Sequence, residues 1–565
     1  MSTTDPVQDF IHWLQSNGCH FDKFAFKKDG ENIGGVYAKE DVSNGETLAT
    51  LPFRMAITSL QARNEFPTLS QFSSRVVLTL YLLQQKILGE KSFYWPYIRM
   101  LPESIITPMS FEQEDMKLLE NTNLAASVPE RKQSLFNDFQ SLIKVLPASV
   151  DEAKLTWDEF LWAYSVLSSR SFPYSLLDPS FTENDDFEVL FPLLDALNHR
   201  PNTKITWERR GDPINGTLAF ITGQEYKAGE QLYNNYGPKS NEELLLGYGF
   251  CFEYNEFDYV ALKPNFSQDP NQAIKKQIIS QAGITSEHDD PLLHYIHRNN
   301  IPSSFYRLMR VLMMNPLEVK YYANCSDSTL YEFIGYRNEL AMLNMTIALL
   351  QNRLLAIQKL SVDRTHLKPW QRFIFMYRDG QIDVLKSAIS CVEKKKQAIL
   401  HIMAKDVEAK DIAPETPLLS VVNPEYYNSK TFVEGDPFLS LNSVVITPKG
   451  LLQKDPVFKE AIESIFEDLE EEQDVIFMLS LINEKSKKEN SRWHYFIERT
   501  SNVIADTDDD TKMEVKDLYD SLFPAFSEAL PDVFRPEVYN FEALLWAESL
   551  VSNYSLDNPL CIVPV

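Results

Sequence analysis

Cysteine is scarce in this chain: five residues in 565, at Cys19, Cys251, Cys325, Cys391 and Cys561, none at CxxC or CxC spacing. That scatter argues against a disulfide framework and a cysteine-rich zinc site, and points to a reducing compartment. Long apolar runs are missing too. No segment approaches eighteen uninterrupted apolar residues, and Met1 to Pro6 carry no basic patch ahead of an apolar core. The reading is a soluble cytoplasmic or nuclear protein with no membrane partner. Basic residues are outnumbered, 54 Lys and Arg against 80 Asp and Glu, for a formal net charge of -26. Such a surface repels phosphate backbones, which disfavours direct nucleic-acid binding, and attracts basic partners such as a lysine-rich protein tail. It serves solubility equally well.

What is present is a folded protein. A hydrophobic fraction of 44% with 12% aromatics is that of a globular chain, and 565 residues are too many for one core, so two or three domains are expected. Residues 32 to 60 read as short strands joined by turns, with Val36-Tyr37-Ala38-Lys39 alternating, a turn at Ser43-Asn44-Gly45, and Thr47 to Leu51 ending at Pro52. The period then changes. Val76, Val77, Leu80, Leu83 and Ile87 recur at helical spacing, as do Phe160, Leu161, Tyr164 and Leu167, which predicts a helical insertion at about 60–165. Residues 190 to 236 return to short apolar segments broken by Pro201, Gly211-Asp212-Pro213 and Asn215-Gly216.

Beyond about 260 helical periodicity dominates, in Phe305 to Leu312, Leu340 to Ile357, and Ile382 to Ile399. Five prolines between Pro414 and Pro448 then mark the start of a C-terminal extension, in which the acidic runs 467–472 and 506–510 read as solvated loops. Phe541 to Ala547 echoes Trp157 to Ala163, but Tyr554 stands where Arg170 would, so the echo is no second site.

Two segments carry chemistry. The first is Asp195-Ala196-Leu197-Asn198-His199; the second runs Tyr233-Asn234-Asn235-Tyr236-Gly237 through Asn241-Glu242-Glu243-Leu244-Leu245 to Tyr248-Gly249-Phe250. Alone, an Asn-His is usually a turn and a Tyr-Gly usually ends a strand. With Gly34-Gly35-Val36-Tyr37-Ala38 and Ser169-Arg170-Ser171-Phe172 upstream, in that order, they resemble the SET-domain protein methyltransferases. The likeness is to the branch containing plant Rubisco large-subunit lysine methyltransferase and the fungal lysine methyltransferases that act on ribosomal proteins and elongation factors. Trp95-Pro96-Tyr97 is similar to a motif of that branch and reads as a packing landmark.

The resemblance implies an α+β fold: a β-rich SET core with a pseudoknot over 1–260, interrupted by the helical insertion. An all-α substrate-binding domain over 261–410 would follow, suggested also by Tyr377-Arg378-Asp379-Gly380-Gln381, and then a mostly helical acidic extension over 411–565. It implies methyl transfer from S-adenosyl-L-methionine to a protein lysine, without a metal. Tyr236 would be catalytic, orienting amine and methyl at the junction of cofactor and channel. Phe172 and Tyr248 would wall the lysine channel. The cofactor would be met by Asn32, Gly34, Arg170, Asp195, Asn198 and His199, with Tyr236 and Tyr248, Arg170 facing its carboxylate. Substrates implied are a ribosomal protein or a translation factor. A histidine-directed enzyme of the same architecture and a catalytically silent scaffold binding a basic partner are the alternatives.

Overall fold

The alternating segments form strands, and their order in the sheets is not their order in the chain. In the computed structural model, which describes residues 5–28, 34–182, 186–286, 290–323, 331–408, 451–453, 455–465, 474–486, 504, 507–556 and 561–562, the chain divides into two compact units. The first comprises Met1–Asp258 and Ala356–Ile382, the second Tyr259–Leu355 and Asp383–Val565.

Three small sheets make up the β part of the first unit. β1 (Phe24–Lys28) pairs antiparallel with β2 (Gly34–Ala38), while β3 (Thr47–Pro52) leads to β4 (Ile57–Thr58), β5 (Phe172–Pro173) and β6 (Glu188–Leu190). β7 (Asn198–His199), β8 (Ile205–Arg210), β9 (Thr217–Thr222) and β10 (Gln231–Asn234) complete the set. The sheets run β1-β2-β10-β7, β3-β9-β8 and β4-β6-β5. In the first, β10 lies antiparallel to β2 with Leu232 opposite Val36, and parallel to β7 with Tyr233 opposite Asn198 and Asn234 opposite His199. This parallel pair brings the two signature segments side by side.

The helical stretch between β4 and β5 forms as its periodicity predicts. The unit opens with α1 (Pro6–Ser16), and α2 (Ser59–Glu65), α3 (Ser74–Leu88), α4 (Trp95–Ile98), α5 (Gln113–Lys117), α6 (Asn123–Ile143) and α7 (Trp157–Arg170) follow in the insertion. The Thr156 hydroxyl accepts from the Glu159 amide to start α7. Phe160, Ala163, Val166 and Leu167 bury its inner stripe in the same core that holds Phe24, Phe191 and Phe220. After β10 comes α8 (Asn241–Tyr248), which has a reciprocal cap: Ser240 N–H donates to Glu243 Oε2 and Glu243 N–H to Ser240 Oγ.

The second unit contains the antiparallel pair β11 (Tyr259–Leu262) and β12 (His294–His297), with α9 (Gln272–Gln281), α10 (Ser303–Leu312) and α11 (Pro316–Tyr322). The long helices α12 (Tyr336–Gln358) and α13 (Pro369–Glu408) come next, their 356–382 stretch belonging to the first unit, and Pro456–Ile465, Asp509–Ala529 and Phe541–Tyr554 are helices further on. By length and composition α12 is the one helix among the described residues long and apolar enough to cross a membrane. Its first turn is built into protein, however: the buried Glu339 takes a two-pronged contact from the Arg310 guanidinium, at 2.6 and 3.0 Å, and Arg337 pairs with Glu318. The echo helix Phe541–Tyr554 matches α7 in length and in its extended final serine, Ser555 against Ser171. The extension's start, 411–450, lies outside the described residues, as does the acidic run 467–472.

Tyr377 to Gly380 were read as part of the helical domain after 261; their side chains bond inside the first unit. The Tyr377 hydroxyl donates to Glu242 Oε2 at 2.7 Å, and the buried Arg378 guanidinium donates to the carbonyls of Leu118, Glu120 and Ile357. Gly380 lies so close to Asp258 that an added Cβ would sit 2.4 Å from its Oδ2. That carboxylate cannot easily swing away, because it accepts from the Asn241 amide at 2.7 Å and the Asn241 side chain at 3.0 Å. Glycine to alanine inside a helix normally stabilises by about 1 kcal/mol. Here the overlap reverses the sign, and Gly380→Ala is expected to destabilise the chain by about 1–3 kcal/mol; a denaturation midpoint equal to or above the parent's would refute the close packing.

Candidate active site

Each functional side chain sits at the end of a regular element. Arg170 is the last residue of α7, where a cation meets the helix's negative end favourably. The chain then turns out at Ser171 into β5, which presents Phe172. The segment before β7 is strained: Leu193 holds φ +88°, a region L-residues avoid, as the backbone coils through Leu194–Ala196 into Asn198. After β10, Gly237 takes φ +96°, which glycine alone adopts without strain, and this turn aims Tyr236 away from the strand. Tyr248 closes α8, and Gly249 at φ +80° ends that helix against the Ile106 carbonyl.

These ends converge on a cavity of about 400 Å³. It is lined by Arg170, Phe172, Asp195, Tyr236 and Tyr248, all expected from the sequence, and by Trp207, Asn234, Asn235 and Lys239, which were not. The Tyr236 and Tyr248 rings stack at 5.0 Å, and Phe172 meets Trp207 edge-on at 5.5 Å. Asn198 and His199 stand behind this lining. Asn198 Nδ2 donates to the Gly34 carbonyl at 3.0 Å, so the Gly34 carbonyl already has a protein partner. Gly35 is needed at this approach, since a Cβ there would lie 2.4 Å from Gln231 Nε2 and 3.2 Å from Asn198 Nδ2. Asn32 lies outside the described residues.

His199 grips Tyr236 twice. Its ring stacks on the phenol at 4.8 Å and 13°, and its Nδ1 accepts the Tyr236 amide at 3.1 Å. That acceptor role puts the imidazole proton on Nε2. Burial pushes His199 below its usual range, the backbone of Asn234 opposes this and Lys239 adds to it, so the ring stays neutral. The Tyr236 hydroxyl donates to the Leu197 carbonyl at 2.8 Å. Burial raises its pKa far above the ordinary phenol range, with Arg170 opposing. Tyr236 is therefore a neutral donor and not a phenolate base.

Arg170 and Asp195 form a buried pair. Arg170 Nη1 donates to the Asp195 carbonyl at 2.9 Å and to its Oδ2 at 3.2 Å, while the Tyr97 hydroxyl donates to the same Oδ2 at 2.7 Å. Burial raises the Asp195 pKa; Arg170 and Tyr97 pull it back. Burial works against the Arg170 charge, yet Asp195 and the two tyrosines hold its pKa above the usual value. One guanidinium nitrogen expected to face a cofactor carboxylate is thus committed to Asp195.

Half-buried Phe250 and Phe252 extend the aromatic set, Phe252 at 5.6 Å from His199 and Phe250 at 6.1 Å from Tyr248. The donor set suits an amphipathic cationic nucleoside: electron-rich ring faces for a positive centre, amides of Asn234, Asn235 and Asn198 for polar groups, and half-buried phenylalanines for a base. Among the described residues no group of three His, Cys, Asp or Glu side chains could hold a metal ion. Asn235 could have been suspected from sequence, since it lies inside the second signature; Trp207 carries no such local signal.

Comparison with known proteins agrees with this geometry. Residues 34–237 match the SET domain family. The ribosomal lysine N-methyltransferase set10 of Schizosaccharomyces pombe is 26% identical over 98% of both chains, and the protein-lysine N-methyltransferase EFM1 of Saccharomyces cerevisiae is 21% identical over 98% of this chain and 96% of its own. The actin-histidine N-methyltransferase of Gallus gallus is 27% identical over 56% of this chain and 54% of its own. Among solved structures, the SET domain of LSMT bound to lysine and AdoHcy superposes with a TM-score of 0.60 at 20% identity, covering 71% of this chain and 93% of that one. Rubisco LSMT bound to AdoMet gives 0.58, covering 70% and 93%. With its signature segments paired around an aromatic cavity, the chain carries a SET domain over residues 34–237, has the fold of the Rubisco LSMT structures, and is similar to S-adenosyl-L-methionine-dependent protein methyltransferases.

Proposed function

We propose that the chain is a protein-lysine N-methyltransferase acting on a ribosomal protein or a translation elongation factor. The observation that carries the reaction is the stacked pair Tyr236 and Tyr248 in a cavity also lined by Phe172 and Trp207. When bound, S-adenosyl-L-methionine supplies an electrophilic methyl group. The residues here do the rest. A lysine ammonium has a pKa of about 10.4 in water, and an aromatic lining that excludes water disfavours its charged form. Tyr236, neutral and tied at both its amide and its hydroxyl, orients the amine for in-line attack and takes no proton itself. Of the residues expected to meet the cofactor, Asn198 and His199 hold the floor of the site, Arg170 and Asp195 its inner wall, and Gly34 the neighbouring strand end. Phe250 and Phe252 offer ring faces for the base.

The substrate class rests on the two yeast relatives that match over nearly the whole chain, one of them named for ribosomal lysine methylation. The acidic surface favours basic partners of that kind. Such substrates would be met in the cytoplasm and, during ribosome assembly, in the nucleus. Residues 261–410, apart from the 356–382 stretch that belongs to the first unit, are proposed as the substrate-binding part and 411–565 as an extension to it. A histidine acceptor is the second reading, favoured by the actin-histidine relatives; that likeness spans about half of each chain, which weighs for lysine.

Incubating the purified protein with radiolabelled S-adenosyl-L-methionine and a lysate of cells lacking it should label a discrete protein band that yields methyllysine. Methylhistidine would decide for the second reading, and no labelled protein alongside bound cofactor would count against the translation-factor substrate. Tyr236→Phe should lower the rate about a hundredfold while cofactor affinity by calorimetry stays within about twofold. Full activity in that variant would remove Tyr236 from its role.

A further inference from the structure

Tyr97 lies outside the two segments that carry the chemistry, on a four-residue helix of the insertion that reads as a packing landmark, yet its hydroxyl reaches the wall of the cavity. The side chain is 2% exposed, its ring packs near Phe10 at 6.3 Å, and its hydroxyl donates to Asp195 Oδ2 at 2.7 Å. Asp195 occupies the strained coil that begins at Leu193 with φ +88°. Such a backbone persists only where its surroundings over-determine it. Here two elements do so: α7 through Arg170, which holds both the Asp195 carbonyl and its carboxylate, and α4 through Tyr97. The same coil delivers, two residues on, the Leu197 carbonyl that takes the Tyr236 hydroxyl, and, four residues on, the His199 nitrogen that takes the Tyr236 amide.

We infer that Tyr97 is a positioning residue for methyl transfer: by anchoring Asp195 it fixes the Leu193–His199 coil, and the coil fixes Tyr236 at its backbone and at its hydroxyl. This rests on the reading of Tyr236 given above. A hydroxyl-to-carboxylate bond is among the stronger neutral-to-charged contacts. Without it Oδ2 keeps only the longer Arg170 bond. Because Tyr97 is also one of the groups that keep Asp195 ionised against burial, its loss makes the carboxyl easier to protonate. The charged and titratable groups facing Asp195 are Arg170 from α7, Tyr97 from α4 and Tyr236 beyond β10. Protonation would weaken the grip of Arg170 on the same coil.

The test compares Tyr97→Phe with Tyr94→Phe, a control from the same turn whose buried hydroxyl donates to the Ala56 carbonyl at 3.1 Å, neither residue being among those that line the cavity. Both remove one buried hydroxyl, so both should lower the thermal midpoint, Tyr97→Phe by the larger amount because its partner is a carboxylate. Using radiolabelled S-adenosyl-L-methionine and lysate as acceptor, Tyr97→Phe should lower the rate at saturating cofactor about tenfold and move the acid limb of the pH–rate profile to higher pH. Tyr94→Phe should leave both as in the parent. A parental rate and acid limb in Tyr97→Phe, or an equal rate loss in Tyr94→Phe, would overturn the inference. An inactive parent protein would instead overturn the methyltransferase reading and the inference with it.

Discussion

The site depends on a parallel ladder only two residues long. β7 and β10 are joined by Asn198 opposite Tyr233 and His199 opposite Asn234, and without that register neither signature segment would meet the other. So short a ladder cannot hold itself, and closing the intervening chain costs entropy that grows slowly with its length. The β8–β9 hairpin absorbs most of that chain in six antiparallel pairs, with Asp212 Oδ1 accepting the amides of Ile214 and Asn215 at its turn. Side chains then clamp the ladder from both edges. Asn198 reaches Gly34 on β2, and His199 reaches the Tyr236 amide just past β10.

Electrostatics in the first unit follow one pattern: buried and half-buried carboxylates are kept, and each has partners elsewhere in the chain. Asp195 takes Arg170 and Tyr97; Glu242 takes Tyr377 and Asn123; Asp258 takes Asn241. Burial raises the pKa of Asp195 and Glu242, and the partners oppose it. Leaving such a group unpaired costs more than the pair contributes, so these contacts act mainly as constraints on which arrangement is allowed. Inside the cavity the consequence is a site of neutral donors and ring faces. The Arg170 charge is compensated, Lys239 is paired with Glu243 at 3.3 Å, His199 is neutral and Tyr236 is a phenol. A cationic cofactor and an amine that must lose its proton are both served by that balance.

Most of the cavity was legible because its residues lie in two short segments whose local rules are strong. Tyr236 precedes a glycine that permits the turn, Tyr248 precedes a glycine that ends a helix, and Arg170 and Phe172 straddle the end of a periodic helix. The helices at Ser74–Leu88 and Trp157–Arg170, and the strands at Gly34 and Thr47, are likewise written in period and punctuation. What was not legible is long-range. Trp207 reads as one aromatic among many until β8 pairs with β9 and sets it against Phe172 and Phe220. Tyr97 reads as packing until Asp195, 98 residues away, accepts its hydroxyl. Tyr377 and Arg378 have a helical period that fits either unit, and only their partners, Glu242 and the carbonyls at Leu118 and Glu120, assign them to the first.

Those partners explain why a β-rich core carries so long a helical insertion. Four contacts leave it in different directions. Tyr97 goes to the coil before β7, Asn123 to Glu242 on α8, Asp115 receives Trp370 and Gln371, and the carbonyls of Leu118 and Glu120 receive Arg378. The two ends of α8 and the coil at Asp195 are the parts that aim Tyr248 and Tyr236, and none belongs to a sheet wide enough to be rigid alone. A hydrogen bond to a charged group contributes about 1.5–3 kcal/mol, so loss of any one contact would loosen a wall of the cavity before it unfolded the unit. The insertion therefore does for this site what extra strands would do for a larger sheet: it turns short, strained segments into fixed positions.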